Sequence, residues 1–152
     1  TSSMSRKWFE NKVPNNVKIS NENKLENLAK ITVENYIKSF NIYKLDQAAN
    51  EVLSLAINTN LYLNDNQPWL LIKEKNKIPI VKDIIYNVLE STRIIGLLLL
   101  PLLPELSSKI NEQLGSTYKK DVSWEQQLKW GLLISNSKLP KPTPIINKLE
   151  YD

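Results

Sequence analysis

The sequence contains no histidine and no cysteine, and only three of its 152 residues are glycine. Without histidine and cysteine, the chain offers no imidazole base, no thiol nucleophile, no disulfide and no Cys/His zinc site. Gly96, Gly115 and Gly131 lie too far apart in the sequence to form a phosphate-binding loop. Paired carboxylates suited to acid–base catalysis are not evident. We therefore expect no catalytic residue and no metal ligand in this chain.

Long hydrophobic runs are also scarce. The run IIGLLLLPLL at 94–103 is about half the length that a membrane-spanning helix needs, and Arg93 and Glu105 lie close to its ends. The first residues, TSSMSRKWFENK, lack the apolar segment of a signal peptide. We expect a soluble, cytoplasmic protein with no membrane partner. Its net charge of +4 gives a mild bias toward anionic partners such as nucleic acid.

Apolar residues recur at spacings of three and four, which predicts an all-α protein. Its length and its 41% hydrophobic content suit one domain with one core. The predicted helices cover about 22–40, a stretch from after Asn41 to about 65, 80–103, 104–115 and 123–131, with a short helix starting at Pro68. Residues 1–9 are predicted to be the end of a helix, and 138–152 an extended tail. Asp65 or Asn66 is predicted to cap the short helix.

The dipeptide Pro68-Trp69 follows a polar stretch, so Trp69 is predicted at a turn. Two interpretations are open, a wedge between helices or a stacking surface for a ligand. Asn60 and Asn64 lie four residues apart, on one face of the preceding helix. Amide groups beside an aromatic plane are what single-stranded RNA recognition needs. The alternative is an asparagine-rich helix end that faces solvent.

The segment SMSRKW at 3–8 superficially resembles the KMSKS loop of class I aminoacyl-tRNA synthetases. That loop works with a HIGH motif, whose histidines this chain lacks. We assign Arg6 and Lys7 to a helix end that faces solvent or a phosphate. The remaining tryptophans, Trp8, Trp124 and Trp130, are predicted to close edges of the core.

Three segments taken together resemble the C-terminal anticodon-binding domain of methionyl-tRNA synthetase. They are 43–74, 94–115, and WGLL at 130–133 with the proline-rich end. The most specific part is the pattern N-x-Y-x-x-x-x-x-P-W formed by Asn60, Tyr62, Pro68 and Trp69. The resemblance covers residues 1–152 as one domain and implies a helical bundle of the class I synthetase type.

The resemblance also implies a partner and a site. Trp69 is expected to stack on the exposed bases of the CAU anticodon of methionine tRNA. ATP, with zinc as a further candidate cofactor, belongs to the enzyme's own catalytic domain, which we expect to be a second partner and to lie outside this chain. By alignment, the Asn-x-x-x-Arg motif of the family falls just before Thr1, and Asn64 stands where many relatives have aspartate.

Two other functions stay open from the sequence alone. One is a helical protein-interaction domain, and the other is the anticodon-binding domain of another class I synthetase.

Overall fold

The computed structural model describes residues 2–10, 12–14, 23–115, 119–134 and 138–140. The prediction of an all-α fold is confirmed, because the only β pairing within these ranges is one isolated bridge between Lys12 and Lys138. Helices α1 to α7 cover Ser2–Trp8, Lys24–Asn41, Leu45–Asn66, Pro68–Leu71, Ile78–Leu99, Pro104–Gln113 and Trp124–Gln127. A single turn of 3-10 helix, Lys75–Lys77, precedes α5. Most of the predicted tail, 141–152, lies outside the described residues.

Helix α5 lies at the centre of the bundle. Most of its residues are buried, and they come from all faces of the helix. In the described part of the chain, even this helix is not long and apolar enough to cross a membrane. It begins at Ile78, two residues earlier than predicted, because Pro79 fits the first turn, where no backbone N–H is needed. Ile80, in that first turn, is 37% exposed.

Two side-chain contacts fix α2 parallel to α5. Near the start of α2, the Asn23 amide donates to Asn87 Oδ1 over 2.9 Å. Asn23 also caps α2, since its side chain accepts from the Glu26 backbone N–H. Near the other end, the hydroxyl of the buried Tyr36 donates to the Leu98 carbonyl over 2.7 Å.

Two further contacts fix α3 antiparallel to α5. The hydroxyls of Thr59 and Ser91 lie 2.7 Å apart, and both side chains are buried. One turn further along α3, the Tyr62 hydroxyl accepts from the Asn87 amide over 3.0 Å. The end of α3 therefore lies beside the first half of α5.

The core divides into two clusters along α5. The proximal cluster surrounds the first half of α5 and includes Val13, Val81, Ile85, Tyr86, Leu89, Ile110, Leu114, Leu133 and Leu139. The distal cluster surrounds the second half and includes Ala29, Tyr36, Ala48, Val52, Leu55, Ile94, Ile95, Leu97, Leu98 and Leu128. Trp8 packs at the edge of the proximal cluster, and Trp124 and Trp130 pack at the edge of the distal one, as predicted.

A buried ion pair attaches the C-terminal segment to α5. Glu90 and Arg93 are 0% and 4% exposed, and their side chains meet at 2.6 Å and 2.9 Å. The Glu90 carboxylate also accepts from the backbone N–H groups of Gly131, Leu132 and Leu133. Arg93 donates to the carbonyls of Gln127 and Lys129.

The same ion pair corrects the predicted helix at 123–131. The Ser123 side chain caps it as expected, by accepting from the Gln126 N–H. However, α7 ends at Gln127, because the chain then turns to direct its carbonyl and amide groups toward Arg93 and Glu90. The helix before Gly115 ends as predicted, and Gly115 itself adopts a left-handed φ of 64°.

Candidate nucleic-acid interface

The site predicted around Trp69 is the corner between α3 and α4. Gln67 forms this corner, with left-handed backbone angles φ 46° and ψ 60°. Its N–H donates to the Leu63 carbonyl over 3.1 Å, and its carbonyl accepts from the Leu70 N–H over 3.0 Å. One residue therefore ends α3 and begins α4, so the connection between the two helices is short and held by hydrogen bonds.

The predicted side-chain cap at this corner was wrong. Asp65 and Asn66 both belong to α3, and no side chain caps α4. The Asn66 amide instead donates back to the Tyr62 carbonyl over 2.7 Å. Since Pro68 has no N–H and stands at the first helical position, the start of α4 has one fewer donor to satisfy.

Pro68 and Trp69 have different environments despite being adjacent. Pro68 is buried, whereas Trp69 is 36% exposed and Leu70 is 49% exposed. The next two residues, Leu71 and Ile72, pack against the proximal cluster. Helix α4 is thus held on the protein by Pro68, Leu71 and Ile72, and part of the Trp69 indole remains open to solvent.

Asn60 and Asn64 lie on the outer face of α3. The opposite face is held against α5 by Thr59 and Tyr62, so the two asparagines one turn apart point away from the bundle, and both are exposed. Asn60 and Asn64 thus lie on the last two turns of α3, and Pro68 and Trp69 begin α4 directly after it. Their joint role in binding stays a prediction.

A polar network supports this end of α3 from behind. The Asn87 amide donates to Tyr62 and, over 3.4 Å, to Asp83 Oδ2. Burial raises the pKa of the Tyr62 hydroxyl; the hydrogen bond from Asn87 opposes this effect and the nearby Asp83 charge adds to it. Burial likewise raises the pKa of Asp83, against the effect of its hydrogen bond from Asn87. Tyr62 therefore stays protonated at neutral pH and links α3 to α5.

The sequence did not predict this network. Tyr62 belonged to the motif without an assigned role, and Asn87 is 25 residues away from it in the chain. The one available signal was Asn87 itself, because a polar residue within the most apolar helix, α5, needs a hydrogen-bond partner.

Helix α1, which carries Arg6 and Lys7, packs on the proximal cluster through Met4 and Trp8. Leu63 and Leu71 from either side of the corner pack on that same cluster. The Lys7 side chain is exposed, and the Arg6 side chain lies outside the described part of the structure. Helix α1 and the corner between α3 and α4 therefore pack on the same proximal cluster, which places Lys7 at the same end of the bundle as Trp69.

Two lysines that the sequence analysis did not assign to the site follow the corner directly. Lys73 and Lys75 are exposed, and neither forms an ion pair with another described residue. Lys77, by contrast, pairs with Glu74 at 2.9 Å. In the sequence, Lys73 and Lys75 look like ordinary charged residues on a protein surface. Only their position directly after α4 connects them with Trp69.

Comparison with known proteins gives one consistent family. A family model described as the anticodon binding domain of methionyl tRNA ligase matches residues 13–150. A methionine–tRNA ligase from Synechocystis sp. is 38% identical over 113 residues, which cover 68% of this chain and 21% of that protein. One from Thermosynechococcus vestitus is 31% identical over 98% of this chain and 30% of that protein.

A solved structure agrees. Methionyl-tRNA synthetase of Mycobacterium tuberculosis, bound by methionyl-adenylate, superposes with a TM-score of 0.83 at 25% identity. The match covers 94% of this chain and 28% of that protein. The chain thus spans less than a third of the relatives that it matches.

Proposed function

The chain belongs to the family of anticodon-binding domains of methionyl-tRNA ligases, and on that premise we propose that it recognises the CAU anticodon of methionine tRNA. It does so as one part of a longer cytoplasmic enzyme. A separate catalytic domain of that enzyme uses ATP, with zinc as a candidate metal there, to attach methionine to the tRNA. The chain itself contributes binding, and with no histidine and no cysteine it offers neither an imidazole base nor a thiol nucleophile.

The observation that carries this proposal is the partly exposed indole of Trp69, which follows the end of α3 on which Asn60 and Asn64 are exposed. The buried Pro68 and the left-handed Gln67 hold α4 in place, so the ring is positioned before RNA binds. An exposed aromatic face stacks on an unpaired base of any kind. Asn60 and Asn64 then supply the hydrogen bonds to base edges that stacking alone lacks.

Arg6 and Lys7 are proposed to contact phosphates, and Lys73 and Lys75 are added to that group. Contacts of this kind fix the register of the RNA but do not read its sequence. Asn64 carries no charge, so it does not repel a nearby phosphate.

Discrimination between anticodons tests the proposal. We expect the chain to bind a stem-loop with the CAU anticodon on the order of tenfold more tightly than one with altered anticodon bases, since each lost base contact is worth about 1 to 3 kcal/mol. Fluorescence titration of the two loops, identical except in the anticodon, measures the ratio. Equal affinity for both loops would contradict anticodon recognition and favour a protein-interaction domain.

The affinity for the stem-loop should also fall steeply with salt. The logarithm of the binding constant should decrease with the logarithm of salt concentration by roughly 0.7 per phosphate contact, because each contact releases a counterion. Replacing both Lys73 and Lys75 by glutamine should reduce this slope. Lys38→Gln is the matched control. Lys38 is also exposed, but it lies in the last turn of α2, at the end of the bundle remote from Trp69. An affinity that does not change with salt would count against RNA binding.

A further inference from the structure

A cleft lies between α2 and the segment that begins in α7. Its volume is about 420 Å³, within the range of pockets that hold small molecules. Val33, Leu128 and Trp130 form the apolar part of its lining. All three belong to the distal cluster or pack against it, whereas the corner that carries Trp69 packs on the proximal one. The cleft is therefore separate from the candidate RNA interface.

Both walls of the cleft are held in place by hydrogen bonds to α5. The buried hydroxyl of Tyr36 fixes α2 on one side. On the other side, the ion pair of α5 binds the Lys129 carbonyl over 2.7 Å and the Gly131 N–H over 2.8 Å. Trp130 stands between these two anchored residues. A ligand would thus meet a preformed cleft and lose little affinity to ordering of its walls.

The charged groups of the cleft are mainly acidic. Glu26 pairs with Lys30 at 3.0 Å, which leaves Glu34 and Glu125. Neither of these two carboxylates forms an ion pair with another described residue, and they come from the two different walls, α2 and α7. With Lys129 included, three glutamates face two lysines, so the lining carries a net charge of −1. The cleft is acidic in a chain whose net charge is +4.

The spacing of these carboxylates does not suit a metal ion. Among the residues that the structure describes, no three acidic side chains lie close enough together to hold one. An indole face attracts an organic cation, and apolar side chains are favourable neighbours for its methylene groups. The lining therefore favours a long, partly apolar cation whose charges are separated along its length.

We propose that this cleft binds a linear aliphatic polyamine. The methylene chain lies along Trp130 and Leu128, and the ammonium groups pair with Glu34 and Glu125. This role is independent of RNA recognition, because none of these residues belongs to the corner between α3 and α4 or to the lysines assigned to phosphates.

An NMR titration of the isotope-labelled chain with spermidine, at 0.15 M salt on the order of physiological strength, tests the cleft. We expect saturable shifts of the Trp130 indole N–H signal and of the Leu128 amide signal. The indole signal of Trp69 is the internal control and should not move. Hexane-1,6-diol, which offers a methylene chain without charges, should cause no saturable shift.

Two double variants separate a local effect from a general effect of charge. Glu34→Gln combined with Glu125→Gln should weaken the affinity for spermidine about fivefold or more, because both ion pairs are lost. Glu105→Gln combined with Glu112→Gln is the matched control. It changes the net charge by the same amount at exposed positions of α6 and should leave the affinity unchanged.

Variants of Trp130 test the contribution of the aromatic ring. Trp130→Leu should weaken the affinity about threefold through loss of the cation–π contact, and Trp130→Phe should retain most of it. Unfolding midpoints of the same variants show that the compared proteins are folded.

An equal loss of affinity in the two double variants would overturn the proposal, because binding would then depend on net charge alone. Shifts of the Trp130 signal by hexane-1,6-diol as large as those by spermidine would overturn it too. So would displacement of spermidine by an equal concentration of Mg²⁺, which would indicate a site for a point charge. Failure of the chain to prefer the CAU loop would instead overturn the proposed function and leave these titrations unchanged.

Discussion

Replacing Glu90 by alanine should lower the free energy of unfolding by about 3 to 5 kcal/mol, because it leaves the buried Arg93 without its partner. The change also removes the acceptor for three backbone N–H groups of the segment from Gly131 to Leu133. Buried donors that lose their acceptor are destabilising beyond the loss of the ion pair. Urea denaturation followed by tryptophan fluorescence measures the difference, and it should also report release of Trp130 beside this segment.

Two further variants interpret that result. Glu90→Gln keeps the shape of the side chain but removes its charge, so we expect a substantial loss that is smaller than that of Glu90→Ala. Glu125→Ala removes an exposed carboxylate of α7 and should change stability by less than about 0.5 kcal/mol. If Glu90→Ala behaved like Glu125→Ala, the ion pair would have no role in holding the C-terminal segment.

Replacing Trp69 by alanine should weaken binding to the CAU stem-loop by on the order of ten- to a hundredfold, which corresponds to a stacking loss of about 1 to 3 kcal/mol. The free energy of unfolding should fall by less than it does for a fully buried tryptophan, where the loss is about 3 to 5 kcal/mol. The reason is that the indole is 36% exposed. Stem-loop titration and chemical denaturation of the same variant measure the two effects.

The neighbouring Leu70 provides the control for Trp69. Leu70→Ala removes an exposed apolar side chain from the same short helix but no aromatic plane, so it should change binding little. Trp69→Phe should retain much of the affinity, since any flat ring can stack. A large loss of stability in Trp69→Ala, with unchanged affinity in the folded fraction, would show that the indole is a wedge between helices.

The sequence predicted the helices well because their signals are local. Apolar spacing located α2, α3, α5 and α6 to within a few residues, and Pro68 marked the start of α4. The same pattern does not show which residues a neighbouring helix covers. In α3, for example, Leu45 is 48% exposed, whereas the polar Thr59 is buried.

The candidate site was predictable to a similar extent. Asn60, Asn64, Pro68 and Trp69 are close in the chain, so local signals sufficed to place them at the end of α3 and the start of α4; that they form one binding site stays a prediction. Their support was not predictable, because Tyr62 and Asn87 pair across 25 positions. The pair of Glu90 and Arg93 was missed for a different reason: charges three apart on a helix are ordinarily on its surface, and here they are buried by a segment about forty residues further along the chain.

The polar contacts between α3 and α5 also determine how far one helix is displaced along the other. Leucines and isoleucines would still find apolar partners if α3 slid along α5 by one turn, about 5.4 Å. Thr59 and Tyr62 would not, because Ser91 and Asn87 each occupy a single position on α5. These two pairs therefore fix the position of α3 along α5, and with it the position at which α4 and Trp69 follow.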